Sequence, residues 1–459
     1  MLFNSQLFIC GFLPLVLSLY YAVAGSRAAR QALMVLASLV FYGWWDVRFV
    51  PLMVGLTVAN WSIARWYGAT RASLIPLLGV AMNLAVLGLF KYADFLRGTY
   101  HGLLGESWTA WHLILPLGIS FFVFQKISYL IDLRRGQAHV YPFLDFCMFV
   151  TFFPQLIAGP ITRHNEIIPQ FDSDPRRPDV WENLARGFAL FVIGVAKKVL
   201  LADTLAMVAD PLFQRAAEAP LGAGQAWVAC VAYTLEIYFD FSGYSDMAIG
   251  LARMFGLRLP FNFNAPYRAV SIRDFWRRWH MTLSRFLRDY LYVPLGGNRC
   301  GPARQTTNLI VTMLLGGLWH GAAWTFVAWG GLHGMGLAVN HAWQRTGLRL
   351  PRPAAWLLTA LFVMAGWVLF RSADFAVAGR LFASMLGLHG AGRISLDREY
   401  VAALAAGGAV ALLGPTSQQA ALSLLRPSRW LAVPIGAGLA YLVLLIGGRL
   451  PNVFIYFQF

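Results

Sequence analysis

Apolar runs long enough to cross a bilayer recur along almost the whole chain, and this recurrence limits the fold more than any other feature. A spanning helix needs about 20 mostly apolar residues. Candidate spans fall near 7–25, 31–46, 51–68, 74–91, 113–131, 142–160, 184–202 and 226–250, and after a polar gap near 307–319, 322–342, 354–371, 400–414 and 430–448. Several are short or interrupted, so about 11 to 13 hydrophobic segments are expected, some re-entrant and not all of them full crossings. The chain is 58% hydrophobic and 13% charged; a soluble domain usually carries about 25% charged residues. The implied fold is all-α: a single integral membrane domain, residues 1–459, folded as a polytopic transmembrane helical bundle, with no internal repeat or separate soluble domain.

Net charge is +16, with 37 Lys+Arg against 21 Asp+Glu. No basic domain stands apart from the apolar runs, so the excess is read as cytoplasmic loops touching anionic lipid rather than as a nucleic-acid surface. Arg27 and Arg30, Arg65 and Arg71, and Arg134 and Arg135 fall in alternate loops, while Arg48 and Arg97 are balanced by Asp46, Asp94 and Glu106. That asymmetry places the N-terminus outside. The first apolar run lacks a basic leader and a small-residue cleavage site and is expected to be kept as a span. Cys10, Cys147, Cys230 and Cys300 show no CxxC spacing and read as small buried hydrophobes.

Two stretches depart from simple spans. Pro154, Gly159, Pro160 and Pro169 interrupt the apolar segment 142–171, and proline breaks helices. The segment is therefore either re-entrant or a kinked span. Residues 256–305 hold nine arginines, with Asp274 and Asp289 as the only acids. From Ile272 to Tyr292 the pattern fits one helix with an aromatic face and a basic face, lying at the membrane interface. On such a helix His280 shares a face with Trp276, Arg277 and Ser284.

Ionisable groups within a membrane are costly and usually functional. His101, His139 and His389 lie in predicted loops, His112 and His341 at segment edges, and His164 after the broken segment; all six are expected to be interfacial or solvated. His320 sits among Gly316, Gly317, Gly321, Ala322 and Ala323, small residues that admit a close neighbour. It is either a hydrogen-bonded structural group or a catalytic base, since a buried imidazole tends toward the neutral, proton-accepting form. His280 is an interfacial histidine between tryptophans or a functional one. His333, with small neighbours, reads as a packing residue. Tyr238, Asp240, Ser242, Tyr244, Ser245 and Asp246 form a polar string; its two aspartates should point inward to Arg or His partners, as a structural ion pair or more. No HExxH, Cys/His cluster or phosphate-binding loop occurs, so no metal site is expected.

Five strings then carry a resemblance: Phe153 to Arg163 (FPQLIAGPITR), Phe239 to Ala248 (FDFSGYSDMA), Phe275 to Ser284 (FWRRWHMTLS), Tyr290 to Arg299 (YLYVPLGGNR) and Leu318 to Trp324 (LWHGAAW). Together and in this order they resemble the membrane-bound O-acyltransferase family. The ending Ile455 to Phe459 (IYFQF) is similar to its bacterial alginate O-acetylase subgroup. The resemblance implies a helical bundle around a central tunnel, with the family's invariant histidine at His320 and its second polar position at His280. It implies acyl transfer from a cytosolic thioester, acetyl-CoA in the exopolysaccharide subgroup, to a hydroxyl, with no permanently bound cofactor. A multi-pass protein of the bacterial inner membrane follows. Its partners would be membrane lipid, a periplasmic SGNH-type acetyltransferase and polysaccharide export machinery, and its product an O-acetylated polymer such as alginate or cellulose. In that setting His320 is the expected base, and His280 orients, or donates to, the carbonyl or the leaving thiolate. Arg277, Arg278 and Arg285 are candidates for the CoA phosphates, with Trp276, Trp319, Tyr244 and Asp246 as tunnel or supporting residues. D-alanyl transfer and peptidoglycan O-acetylation are alternatives within the family. A transporter or flippase is the alternative of another class; broken segments suit it, but the lack of repeat symmetry argues against it.

Overall fold

The computed structural model describes residues 1–448 together with Phe454 and Ile455. Every apolar run read from the sequence carries helix, and no strand occurs among the described residues. The fold is all-α. Among the described residues, four helices are long and apolar enough to cross a membrane: Val47–Thr70, Leu74–Leu104, Arg352–Arg371 and Trp430–Gly447. Arg398–Leu412 and Ser417–Leu424 make a fifth if this pair, bent by 73°, is one crossing. The remaining apolar segments ride on helices that are shorter, broken or punctuated by polar residues. The run near 113–131 is one example: helix starts only at Ile119, after Pro116 and a left-handed Gly118 (φ 70°). Residues 456–459 of the C-terminal motif lie outside the described residues.

The chain divides into two compact units. The first comprises Met1–Val195, Tyr244–Pro260 and residues 421–448. The helices Val50–Thr70 and Leu74–Leu87 within it are joined by a reciprocal amide pair: Asn83 Nδ2 donates to Asn60 Oδ1 at 2.7 Å, and Asn60 Nδ2 to Asn83 Oδ1 at 3.3 Å. Such pairs satisfy polar groups that lipid cannot. The segment 142–171 is broken, as its prolines and glycine require. It forms helix Phe143–Thr151, one turn at Phe153–Leu156, an irregular stretch, and a further turn at His164–Ile167. Most of it is buried in protein, the condition under which irregular backbone survives at membrane depth.

His164 corrects the sequence reading. It is 1% exposed rather than solvated. Its Nε2 lies 3.2 Å from Asp132 Oδ2 and its Nδ1 2.9 Å from the Tyr141 hydroxyl. These polar partners lie on the helix Ile119–Arg134 and the loop after it, so the ring is satisfied inside the fold. The cysteines divide: Cys147 and Cys230 are buried as expected, whereas Cys10 and Cys300 are exposed.

The second unit comprises Ala196–Gly243, Phe261–Ala420 and the described residues 454–455. Its ionic centre is Lys198, whose Nζ lies 2.6 Å from Asp240 and 2.8 Å from Asp203. Asp240 also accepts from the Ile455 backbone N–H at 2.9 Å. The partner of Asp240 is thus a lysine, not the expected Arg or His. Lys198 lies in a π-helical stretch, Lys197–Ala202, inserted between two regular helices. The helices Pro302–His320 and Trp324–Thr346 form a tight antiparallel hairpin. A Cβ on Gly317 would run into the Phe326 carbonyl and come within 3.0 Å of Gly330 Cα. Two glycines facing each other therefore let the backbones touch, and this fixes His320 at the end of the first arm.

Candidate active site

His280 lies outside the apolar runs, in a segment that the sequence suggests is one helix from Ile272 to Tyr292. The structure breaks it. Ser271 caps a short helix, Ile272–Trp276, by accepting from the Asp274 N–H at 3.1 Å. A second helix, Met281–Leu287, starts anew after His280. The break exists because the backbone turns aside to pair with the preceding extended strip. The Asn264 N–H donates to Arg278 O at 2.9 Å and the Met281 N–H to Asn262 O at 3.0 Å. His280 pivots between them in the left-handed region, φ 43° and ψ 52°. A residue with a Cβ adopts that conformation at a cost and only where its surroundings impose it.

Asn262 decides the chemistry of His280. Its Oδ1 accepts from the Thr282 backbone N–H at 3.2 Å and from the Thr282 hydroxyl at 2.8 Å. A backbone N–H can only donate, so this amide atom is the oxygen. The same oxygen lies 3.2 Å from His280 Nδ1, which must therefore carry a proton. The Nε2 of the neutral ring is left with a lone pair. It has no hydrogen-bond partner among the described residues. The ring is 0% exposed, and burial pulls its pKa down to about 3. His280 is a neutral hydrogen-bond acceptor.

His320 ends the helix Pro302–His320 and is 4% exposed. Its ring centroid lies 6.4 Å from that of His280. Aromatic rings enclose it: Trp319 at 4.9 Å, Phe370 at 5.4 Å and Trp329 at 5.1 Å, the last nearly perpendicular. Trp319 also lies 6.2 Å from His280. Trp276 is buried and donates its indole N–H to His333 Nδ1 at 3.3 Å. Two buried imidazoles thus share a cluster of aromatic rings within the second unit. Low dielectric there strengthens every hydrogen bond to a reacting group. Among the described residues no three His, Cys, Asp or Glu side chains are grouped to hold a metal ion.

The other predicted residues divide by position. Arg277 is exposed, Arg285 half-buried, and Arg278 committed to Asp274 at 2.9 Å and to the Asn264 carbonyl. Tyr244 and Asp246 are buried but belong to the first unit, where Tyr244 stacks on Phe3 at 4.8 Å. Sequence analysis gave Asn262 no role. Its function depends on a contact with His280 across 18 positions, which no local pattern encodes.

A model of the membrane-bound O-acyltransferase family matches residues 66–375. The chain is 41% identical over 435 residues to a peptidoglycan O-acetyltransferase of Helicobacter pylori, covering 87% of this chain and 82% of that protein. It is 46% identical over 396 residues to the probable alginate O-acetylase AlgI of Pseudomonas aeruginosa, covering 84% and 75%. A teichoic acid D-alanyltransferase of Streptococcus thermophilus is 31% identical over 238 residues, covering 50% and 57%. His280, His320 and the aromatic rings around them lie inside the matched region, and the chain belongs to the membrane-bound O-acyltransferase family.

Proposed function

We propose that this multi-pass membrane O-acyltransferase takes acetyl groups from acetyl-CoA on the cytosolic side of a bacterial inner membrane. They serve the O-acetylation of a polysaccharide outside it, of the alginate or cellulose kind. The observation that carries this reading is the pair of buried imidazoles, 6.4 Å apart between ring centroids, among aromatic rings. Attack of a hydroxyl on a thioester needs a base, an oriented nucleophile and donors for the developing oxyanion. His320 is the base. It takes the hydroxyl proton and returns it to the leaving sulfur. His280 offers a lone pair, so it orients the acceptor through a second hydroxyl or a water. Its hydrogen bonding disfavours the other half of its expected role, donation to the carbonyl or thiolate. Arg277, being exposed, is better placed than Arg278 to meet the CoA phosphates. An SGNH-type acetyltransferase on the far side would complete transfer to the polymer.

Purified protein supplied with labelled acetyl-CoA, alone or with that partner and its polymer, tests the reading. Release of free CoA with movement of the label is expected. Consumption of a D-alanyl carrier thioester in place of acetyl-CoA would move the protein to the aminoacyl branch of the family. Consumption of neither would overturn the proposal.

A further inference from the structure

The transition state just described needs hydrogen-bond donors at the carbonyl oxygen, and His280 is not one. Donors of the right kind lie one ring beyond His320. The helix Trp324–Thr346 presents Trp329 and His333 four residues apart, hence on one face. They are 1% and 0% exposed. Because the Trp276 N–H donates to His333 Nδ1, that nitrogen is an acceptor, and the proton of the neutral ring sits on Nε2. His333 Nε2–H and Trp329 Nε1–H are both donors, and neither finds an acceptor among the described residues. A buried donor left unmatched is costly, and native structures hold few.

Both nitrogens border the same bare patch of backbone. A Cβ built on Gly366 would lie 3.0 Å from His333 Nε2 and 3.4 Å from Trp329 Nε1. Glycine at 366 is what keeps the two N–H groups open. The rings around them are apolar: Trp276, Phe275, Phe362, Trp367 and Phe370. With donors only, the notch takes an oxygen acceptor and not a cation. With no Lys or Arg among these rings, it suits an uncharged carbonyl that gains charge during reaction more than a permanent anion.

We propose that His333 Nε2–H, Trp329 Nε1–H and the bare face of Gly366 form a notch that binds the carbonyl oxygen of the acyl group in transfer. The inference rests on the acetyl-transfer reading above. The acceptor hydroxyl gives its proton to His320 as its oxygen bonds the carbonyl carbon. The carbonyl π pair moves to oxygen and is held by the two N–H groups. When the pair returns, the carbon–sulfur bond breaks and the sulfur leaves with the proton from His320. Trp329 serves both ends, because its ring also stands 5.1 Å from His320. His333, read from sequence as a packing residue, becomes a substrate-binding one.

Two variants and two ligands test it. Trp329→Phe removes one N–H and keeps a ring; Gly366→Ala covers both N–H groups and removes neither. Each should lower kcat for acetyl-CoA consumption by about 10²-fold, the usual effect of losing one oxyanion donor, with a smaller change in KM. In binding assays, acetonyl-CoA keeps the carbonyl and S-ethyl-CoA lacks it. Wild type should prefer the former, and both variants should lose that preference while binding S-ethyl-CoA normally. If the wild type is active and Gly366→Ala keeps full kcat and the preference, the notch is wrong and the transfer reading stands. Equal loss of both ligands in the two variants also overturns the notch, since that marks a structural role. A wild type that consumes no acetyl-CoA sinks the transfer reading and takes this inference with it.

Discussion

At the residue scale, the tautomer of His280 is set by Asn262 Oδ1, itself identified as the oxygen by the Thr282 N–H. The ring's ionisation follows from burial. The folded-state pKa of about 3 lies below the ordinary histidine value near 6.5. Above pH 6.5 the ring is neutral in both folded and unfolded chains and contributes no pH dependence. Below it the unfolded chain takes up the proton first, so stability falls as pH drops from about 6.5 toward 3. His280→Gln should therefore flatten the acid side of a stability-versus-pH curve. It should lower kcat by about 10²-fold without changing the shape of the pH–rate profile above pH 5. A limb in that profile that disappears in the variant would show that His280 titrates and is not held neutral.

Elements were legible where apolar length decided them and illegible where a tertiary contact did. Every apolar run carries helix, and the proline-rich segment 142–171 is broken as its composition requires. The split at His280 was hidden, since Ile272 to Tyr292 keeps a helical pattern and only the pairing with Asn262 and Asn264 interrupts it. The buried His164 was missed for the same reason: Asp132 and Tyr141 are distant in sequence. The hairpin that carries His320 depends on bare backbone at its crossing. Gly330→Ala drives a methyl into the Met313 carbonyl, whereas Gly331→Ala meets only the end of Leu314. The first change should cost about 1–3 kcal/mol by overpacking and lower activity by displacing His320. The second should be nearly silent in thermal melts and in kcat. Equal melts for the two would show that the helices do not pack through Gly330.

For the whole molecule, apolar length marks a multi-pass membrane protein, and the positive-inside bias predicts its orientation. Reporters inserted in the loops near residues 71 and 136 should report from the cytoplasm, and one ahead of the first span from outside; the reverse pattern would place the arginine-rich segment on the wrong side for a cytosolic thioester. Division into two compact units was not legible, because a long helix, Ala223–Met254, passes from one to the other without any change in composition. Whether His320 performs chemistry or packing is decided by single-turnover acetyl-CoA consumption by purified His320→Ala, run beside a thermal melt. The expected result is a melt close to wild type with a rate at least about 10²-fold lower. A folded variant that consumes acetyl-CoA at the wild-type rate would contradict the assignment.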